Sequence, residues 1–217
     1  MLENLDANGT IKDLSIYLDT IISDVKHILL INLEDEGNSS FLEEFFIAFK
    51  RKEVWFYTTV INKLKEYVGE TSDEEFYLFF DIDETIVSND LETHQDVVRP
   101  SLKPLLQTLR SYYPYIHFSI CSGRGQEAIW TFIESNIDYW FEEGISSRAM
   151  PFEAPDNTWG ENCTHWHYNK AHVMISISAQ YTPLKCILVD DVIESSFEEK
   201  KMWISVRDFV FTGYPKL

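Results

Sequence analysis

Positive charge is scarce in this chain: 18 lysines and arginines stand against 36 aspartates and glutamates, a formal net charge of -18 over 217 residues. A field of that sign repels polyanions from most of the surface, so bulk nucleic acid is a poor partner, although a local basic pocket can still hold one phosphate. Cysteine is nearly absent too. Cys121, Cys163 and Cys186 are odd in number and form no CxxC pair, which suits reduced structural thiols in a cytosol-like compartment better than a disulfide framework. No stretch approaches the roughly 20 apolar residues that a membrane-spanning helix needs. The opening MLENLDANGTIKDL has neither the basic start nor the apolar run of a signal peptide, so the expected setting is cytoplasmic, without membrane contact. There is no internal repeat, no low-complexity tract and no P-loop GxxxxGK(S/T), which sets aside solenoids and P-loop kinases.

What is abundant is apolar. At 45% hydrophobic and 15% aromatic residues, the chain can bury enough surface to offset the entropy of ordering its backbone. From Ile11 to Leu30, Leu14, Leu18, Ile21, Ile22, Val25, Ile28 and Leu29 recur at three- and four-residue steps, predicting an amphipathic helix. LEDEGNSS at 33–40 carries turn and capping residues, and FLEEFFIAF and VWFYTTVINKLKEYV predict two more helical stretches. The aromatic and β-branched content of Val54–Val60 leaves strand open there. Residues 1–70 are thus expected to be a mainly helical segment, and residues 71–217 an α/β domain.

Three short, near-continuous apolar runs, FYLFFDID at 76–83, YIHFSICSG at 115–123 and KCILVDD at 185–191, have the pattern of strands buried on both faces of a parallel sheet. WISVRDFVF adds a candidate strand near the end. Helices are expected at about 100–111, 124–135 and 169–179, while 137–163 reads as strand fragments and loop. Strands alternating with helices predict an α/β fold, a Rossmann-like three-layer sandwich with a mainly parallel sheet.

In such sheets ligands bind beyond the carboxyl ends of the strands, and here three predicted strands end in Asp81-Ile82-Asp83, Ser122-Gly123-Arg124 and Asp190-Asp191. Four carboxylates around one crevice repel one another unless a cation sits between them, and oxygen-only ligands point to magnesium. The two-residue step of Asp81 and Asp83 puts both on one side of an extended chain, unless the strand ends between them and the second turns toward the leaving group. A nucleophilic carboxylate, a general acid/base and a cation are the set required for phosphoryl transfer through an aspartyl-phosphate.

FFDIDETIVS, SICSGR, Lys170 and ILVDD, in that order, with RPSLKPLLQTLR after the first, resemble the four motifs of the haloacid dehalogenase superfamily over about residues 76–206. The resemblance implies that Asp81 is nucleophile and metal ligand, and that Asp83 is general acid/base and ligates through its backbone carbonyl. It further implies that Thr85, Ser122 and Gly123 shape the phosphate site, that Lys170 neutralises nucleophile and phosphoryl oxygens, and that Asp190 and Asp191 bind Mg2+. Glu84 stands where most small-molecule phosphatases of the family have glycine. DxDET is similar to class C acid phosphatases and to phosphatases of protein tails, whereas SGR looks like sugar-, nucleotide- or polynucleotide-end phosphatases. The intervals from Asp83 to Ser122 and from Ser122 to Lys170 leave no room for a full cap, which makes the N-terminal helices the candidate lid.

Plainer readings accompany each of these. Asp81 and Asp83 could be a solvated acidic turn, Lys170 an exposed helix-start lysine with Lys185 or Arg124 supplying the charge, and Glu194 plain surface rather than a water-mediated metal contact. Cys163, His165 and His167 lack the spacing of a zinc site and read as a loop near the substrate entrance. Trp159, Trp166 and Tyr168 either stack on a substrate ring or pack that loop down. The expected function is a magnesium-dependent phosphomonoesterase. Transfer to an acceptor other than water, or a non-catalytic binding protein on the same fold, are the alternatives, and a homodimer is left open.

Overall fold

The structure, a computed structural model, describes residues 10–32, 39–89, 96–136, 140–146, 170, 185–191 and 203–206. Two helices lead, α1 (Thr10–Asn32) and α2 (Ser39–Val68). The aromatic stretch Val54–Val60 is therefore helical, and the two predicted helical stretches are one helix of 30 residues. Its apolar stripe finds a partner in the sheet, and that tertiary burial outweighs local strand preference. Gly69, at φ 110, ends the helix, with its N–H donating to the Lys65 carbonyl at 3.0 Å.

The sheet follows as β1 (Phe76–Phe80), β4 (Ile116–Ser122), β5 (Glu143–Ser146), β6 (Lys185–Asp190) and β7 (Trp203–Ser205), separated by the hairpin strands β2 (Val87–Asn89) and β3 (Asp96–Val98) and by helices α3 (Leu102–Tyr112) and α4 (Gln126–Asn136). Five strands lie in the order β5-β4-β1-β6-β7, every neighbouring pair parallel. This is an α/β fold with a mainly parallel sheet. β1 is central, and the chain fills first one flank (β4, β5) and then the other (β6, β7). That reversal beside β1 is where an open α/β sheet has its crevice.

Side chains alternate between two faces along each strand. Phe76, Leu78 and Phe80 of β1, with Ile116, Phe118 and Ile120 of β4 and Ile187 and Val189 of β6, join a large cluster that also holds Leu105, Leu106 and Leu109 of α3 and Ile129, Phe132 and Ile133 of α4. Phe79, Cys121, Cys186 and Leu188 form a separate cluster of opposite parity. Each fully buried Phe or Leu contributes about 1.5–3 kcal/mol over its exposed state. Gly144 is the contact point of β5 with α4, because a Cβ there would run into Ile129 and Ile133. Burial pushes the thiols of Cys121 and Cys186 up to about 12 and about 11, so both are inert packing groups.

The divide expected near residue 70 does not separate two cores. Phe56, Tyr57, Val60, Ile61 and Leu64 of α2, and Leu14 and Leu18 of α1, belong to the same cluster as β1. Tyr57 Oη and Thr108 Oγ1 of α3 lie 2.7 Å apart, and Tyr67 Oη donates to the Trp203 carbonyl at 3.1 Å. α2 is thus a wall of the core that the sheet also builds. Among the described residues no helix is long and apolar enough to cross a membrane. The expected helix at 169–179 apart from Lys170, the Cys163–His167 loop with its aromatic neighbours, and Glu194 lie outside the described residues.

Candidate active site

β1 ends at Phe80, one residue before the first aspartate, so Asp81 is the first residue of the loop and its N–H donates to the Val189 carbonyl of β6 at 2.9 Å. From Ile82 the chain turns: the N–H groups of Ile86 and Val87 both donate to the Ile82 carbonyl, at 3.1 and 2.9 Å, and Glu84 sits at φ 60. That left-handed conformation costs a side-chain-bearing residue such as Glu84 about 1–2 kcal/mol. The turn sends the two aspartates apart. Asp81 is buried and faces β6, whereas Asp83 is part-exposed and faces the end of β4.

Lys170 Nζ lies 2.7 Å from Asp81 Oδ1 and 2.8 Å from Asp190 Oδ2, all three side chains being buried. Asp191 joins them: one carboxylate oxygen from each of Asp81, Asp190 and Asp191 lies within 4.8 Å of the others. Thr85 locks this corner, donating to Asp191 Oδ1 at 2.9 Å while accepting the Asp191 N–H at 3.0 Å. The two cations have separate partners. Lys170 carries the charge among the carboxylates, and Arg124 is on Asp83, with Nε 3.0 and 3.1 Å from its oxygens and Nη2 2.6 Å from Oδ1. Ser122, the buried last residue of β4, accepts the Arg124 N–H through Oγ at 3.2 Å, with Gly123 in the turn between them.

Burial pushes the Asp81 carboxyl up to about 7, with Asp190 and Asp191 adding to the rise and Lys170 opposing it. Burial and then Asp190 raise Asp191 to about 6 against the hydrogen bond from Thr85. For Lys170, burial favours the neutral amine, but Asp81 and Asp190 outweigh it and the ammonium is held more firmly than usual. Three carboxylates around one ammonium leave the pocket over-negative. A hard divalent cation bound by oxygen relieves that excess, so the donor set fits Mg2+.

All the residues singled out on the loops after β1, β4 and β6, together with Lys170, gather at the carboxyl end of the sheet. Of the two arrangements that the DxD step left open, the structure has the one in which the strand ends first and Asp83 turns aside, its side chain outside the three-carboxylate cluster. Two buried groups escaped the sequence reading. Glu53 of α2 accepts Ser101 N–H at 3.1 Å and Ser101 Oγ–H at 2.5 Å, and lies 3.8 Å from Arg99 Nε, whose guanidinium stacks 4.0 Å from the Phe56 ring centre. The signal was there, because Glu53 falls on the same stripe as Phe56, Tyr57, Val60 and Leu64.

No protein-family model, curated protein or solved structure matches this chain.

Proposed function

We propose that this chain is a magnesium-dependent phosphomonoesterase of the haloacid dehalogenase type, built on a Rossmann-like three-layer fold and acting through an aspartyl-phosphate on Asp81. The observation that carries the reading is the placement of Lys170 Nζ between Asp81 and Asp190, with Asp191 completing the carboxylate cluster at the ends of two adjacent parallel strands. A structural ion pair needs one partner, and three acids around one base make a site that awaits charge.

Asp81, Asp190 and Asp191, with the Asp83 carbonyl, would hold Mg2+, which supplies charge neutralisation of the phosphoryl oxygens when bound. Asp81 Oδ attacks phosphorus and the ester P–O bond breaks. Asp83 donates its proton to the departing oxygen, so that alcohol and aspartyl-phosphate result. Water then attacks phosphorus, Asp83 takes its proton, and inorganic phosphate leaves with Asp81 restored. Lys170 keeps Asp81 ionised and oriented, and the Ser122 hydroxyl and Gly123 N–H bind phosphoryl oxygens. Thr85 keeps Asp191 facing the cluster.

The test is phosphate release from p-nitrophenyl phosphate with magnesium and with EDTA. Activity should require the metal, and Asp81→Asn should lower kcat by about a thousandfold or more. Undiminished turnover in Asp81→Asn removes the mechanism.

A further inference from the structure

The pairing of Asp83 with Arg124 has no place in the reaction just proposed, because it engages the carboxylate that must serve the leaving oxygen. Arg124 is fixed from three sides. Its N–H donates to Ser122 Oγ at 3.2 Å, its carbonyl accepts from Ser146 Oγ at 2.6 Å, and its guanidinium lies 5.8 Å from the centre of the Phe132 ring. From that base Nε and Nη2 grip both Asp83 oxygens in a forked contact that takes up their lone pairs. The Arg124 side chain is only 18% exposed, but that of Asp83 is 45% exposed. Asp83 is the half of the pair that solvent reaches, so an anion arriving from solvent can compete with its carboxylate for the guanidinium fork. Lys170, enclosed between two buried carboxylates, has no such freedom.

We infer that Arg124 selects the substrate, leaving Asp83 for a second anionic group of a phosphomonoester, a carboxylate or a second phosphate near the ester oxygen. The exchange releases Asp83 to protonate the leaving oxygen. This rests on the phosphatase reading. A substrate with no second anion leaves Arg124 on Asp83, and its ester oxygen meets an occupied carboxylate. Charge favours the same selection: on a chain of net charge -18, an anionic substrate needs a cation at the mouth of an acidic crevice. A guanidinium meets carboxylate and phosphate alike in planar, two-pronged geometry, so both belong to the expected class.

The experiment measures kcat and KM, with magnesium, on two matched pairs that differ by one anion: glycerol 3-phosphate against 3-phosphoglycerate, and adenosine 3′-phosphate against adenosine 3′,5′-bisphosphate. Wild type should favour the doubly anionic member of at least one pair by about tenfold in kcat/KM. Arg124→Gln should lose that preference through a raised KM for the doubly anionic substrate, and should turn over the singly anionic one faster than wild type. Arg124→Lys, which keeps charge but not the fork, should retain part of the preference. Hydrolysis by wild type with no preference in either pair overturns the inference and leaves the phosphatase reading intact. An equal loss on both members in Arg124→Gln also overturns it, since a group that binds the reacting phosphoryl or holds the fold would act so. If wild type hydrolyses none of the four but does release phosphate from p-nitrophenyl phosphate, the inference is overturned alone; if p-nitrophenyl phosphate is also left intact, the phosphatase reading falls with it.

Discussion

Lys170 approaches two buried carboxylates at once, 2.7 and 2.8 Å away. Burying an ion pair costs nearly as much desolvation as the attraction returns, so this one adds little net stability. Removing the ammonium alone is a different matter, because Asp81 and Asp190 would then share a dry pocket without compensation. Lys170→Met should therefore destabilise the fold by about 3–5 kcal/mol in EDTA, read by urea denaturation, with magnesium restoring part of the loss. Stability equal to wild type would mean that the carboxylates are hydrated. Asp83 shows how far a two-residue spacing can be read. The step is legible in DxD, but its consequence depends on where the chain leaves β6, and it turns at Ile82, just after the Asp81 N–H bond to Val189.

Helix α2 is joined to α3 by a buried carboxylate. Ser101, at the start of α3, makes no side-chain cap to its own helix; its hydroxyl and N–H both go to Glu53. Burial raises the Glu53 carboxyl, while Arg99, drawn down to about 10 by the same burial, remains charged at neutral pH and opposes that rise. Glu53→Ala should cost about 3–5 kcal/mol and speed amide exchange at the start of α3. Exchange that stays at the wild-type rate would show that α3 is held without Glu53. At the other end of the sheet, His117 of β4 contacts Glu142 through Nδ1 at 2.5 Å and Glu75 through Nε2 at 2.7 Å, joining the approaches to β1 and β5. Burial alone would lower the His117 value, and the two hydrogen-bonded carboxylates outweigh it, so it is raised above the ordinary 6.5. A raised folded-state value means stabilisation that is complete below pH 6.5 and lost as pH climbs through the higher value. His117→Gln should accordingly cost on the order of 1 kcal/mol at pH 5.5–6 and much less at pH 9. A cost independent of pH would assign the residue's role to stacking on Tyr77 instead.

Over the whole molecule, a net charge of -18 makes the folded state repel itself, and part of that repulsion is concentrated where β1 and β6 end. A cation bound there should raise stability by mass action, about 2.7 kcal/mol at a hundred times its Kd. Thermal unfolding of the EDTA-treated protein should shift upward with magnesium beyond the shift from sodium chloride at matched ionic strength, since simple screening is common to both salts. Asp81→Asn should lose the magnesium-specific increment. If the two salts act alike on wild type, the carboxylate cluster does not bind the ion.

The parallel α/β core was legible in the sequence: FYLFF, YIHFSICS and KCILVD have the length and apolar content of strands covered on both faces, they alternate with helical stretches, and the acids that follow them emerge at one end of a parallel sheet. A strand's direction, once its neighbours are parallel, carries its last residues to a common edge, so the convergence of Asp81, Ser122 and Asp190 was legible from the order of motifs. The hairpin of β2 and β3, the entry of α2 into the core, the burial of Glu53 with Arg99 and Ser101, and the hold of Arg124 on Asp83 were decided only by tertiary structure. Each depends on groups far apart along the chain finding partners at atomic distance. Hydrophobic periodicity reports which face is buried, but a buried charge is specified by the one partner that compensates it, and that partner is known only once the chain has closed.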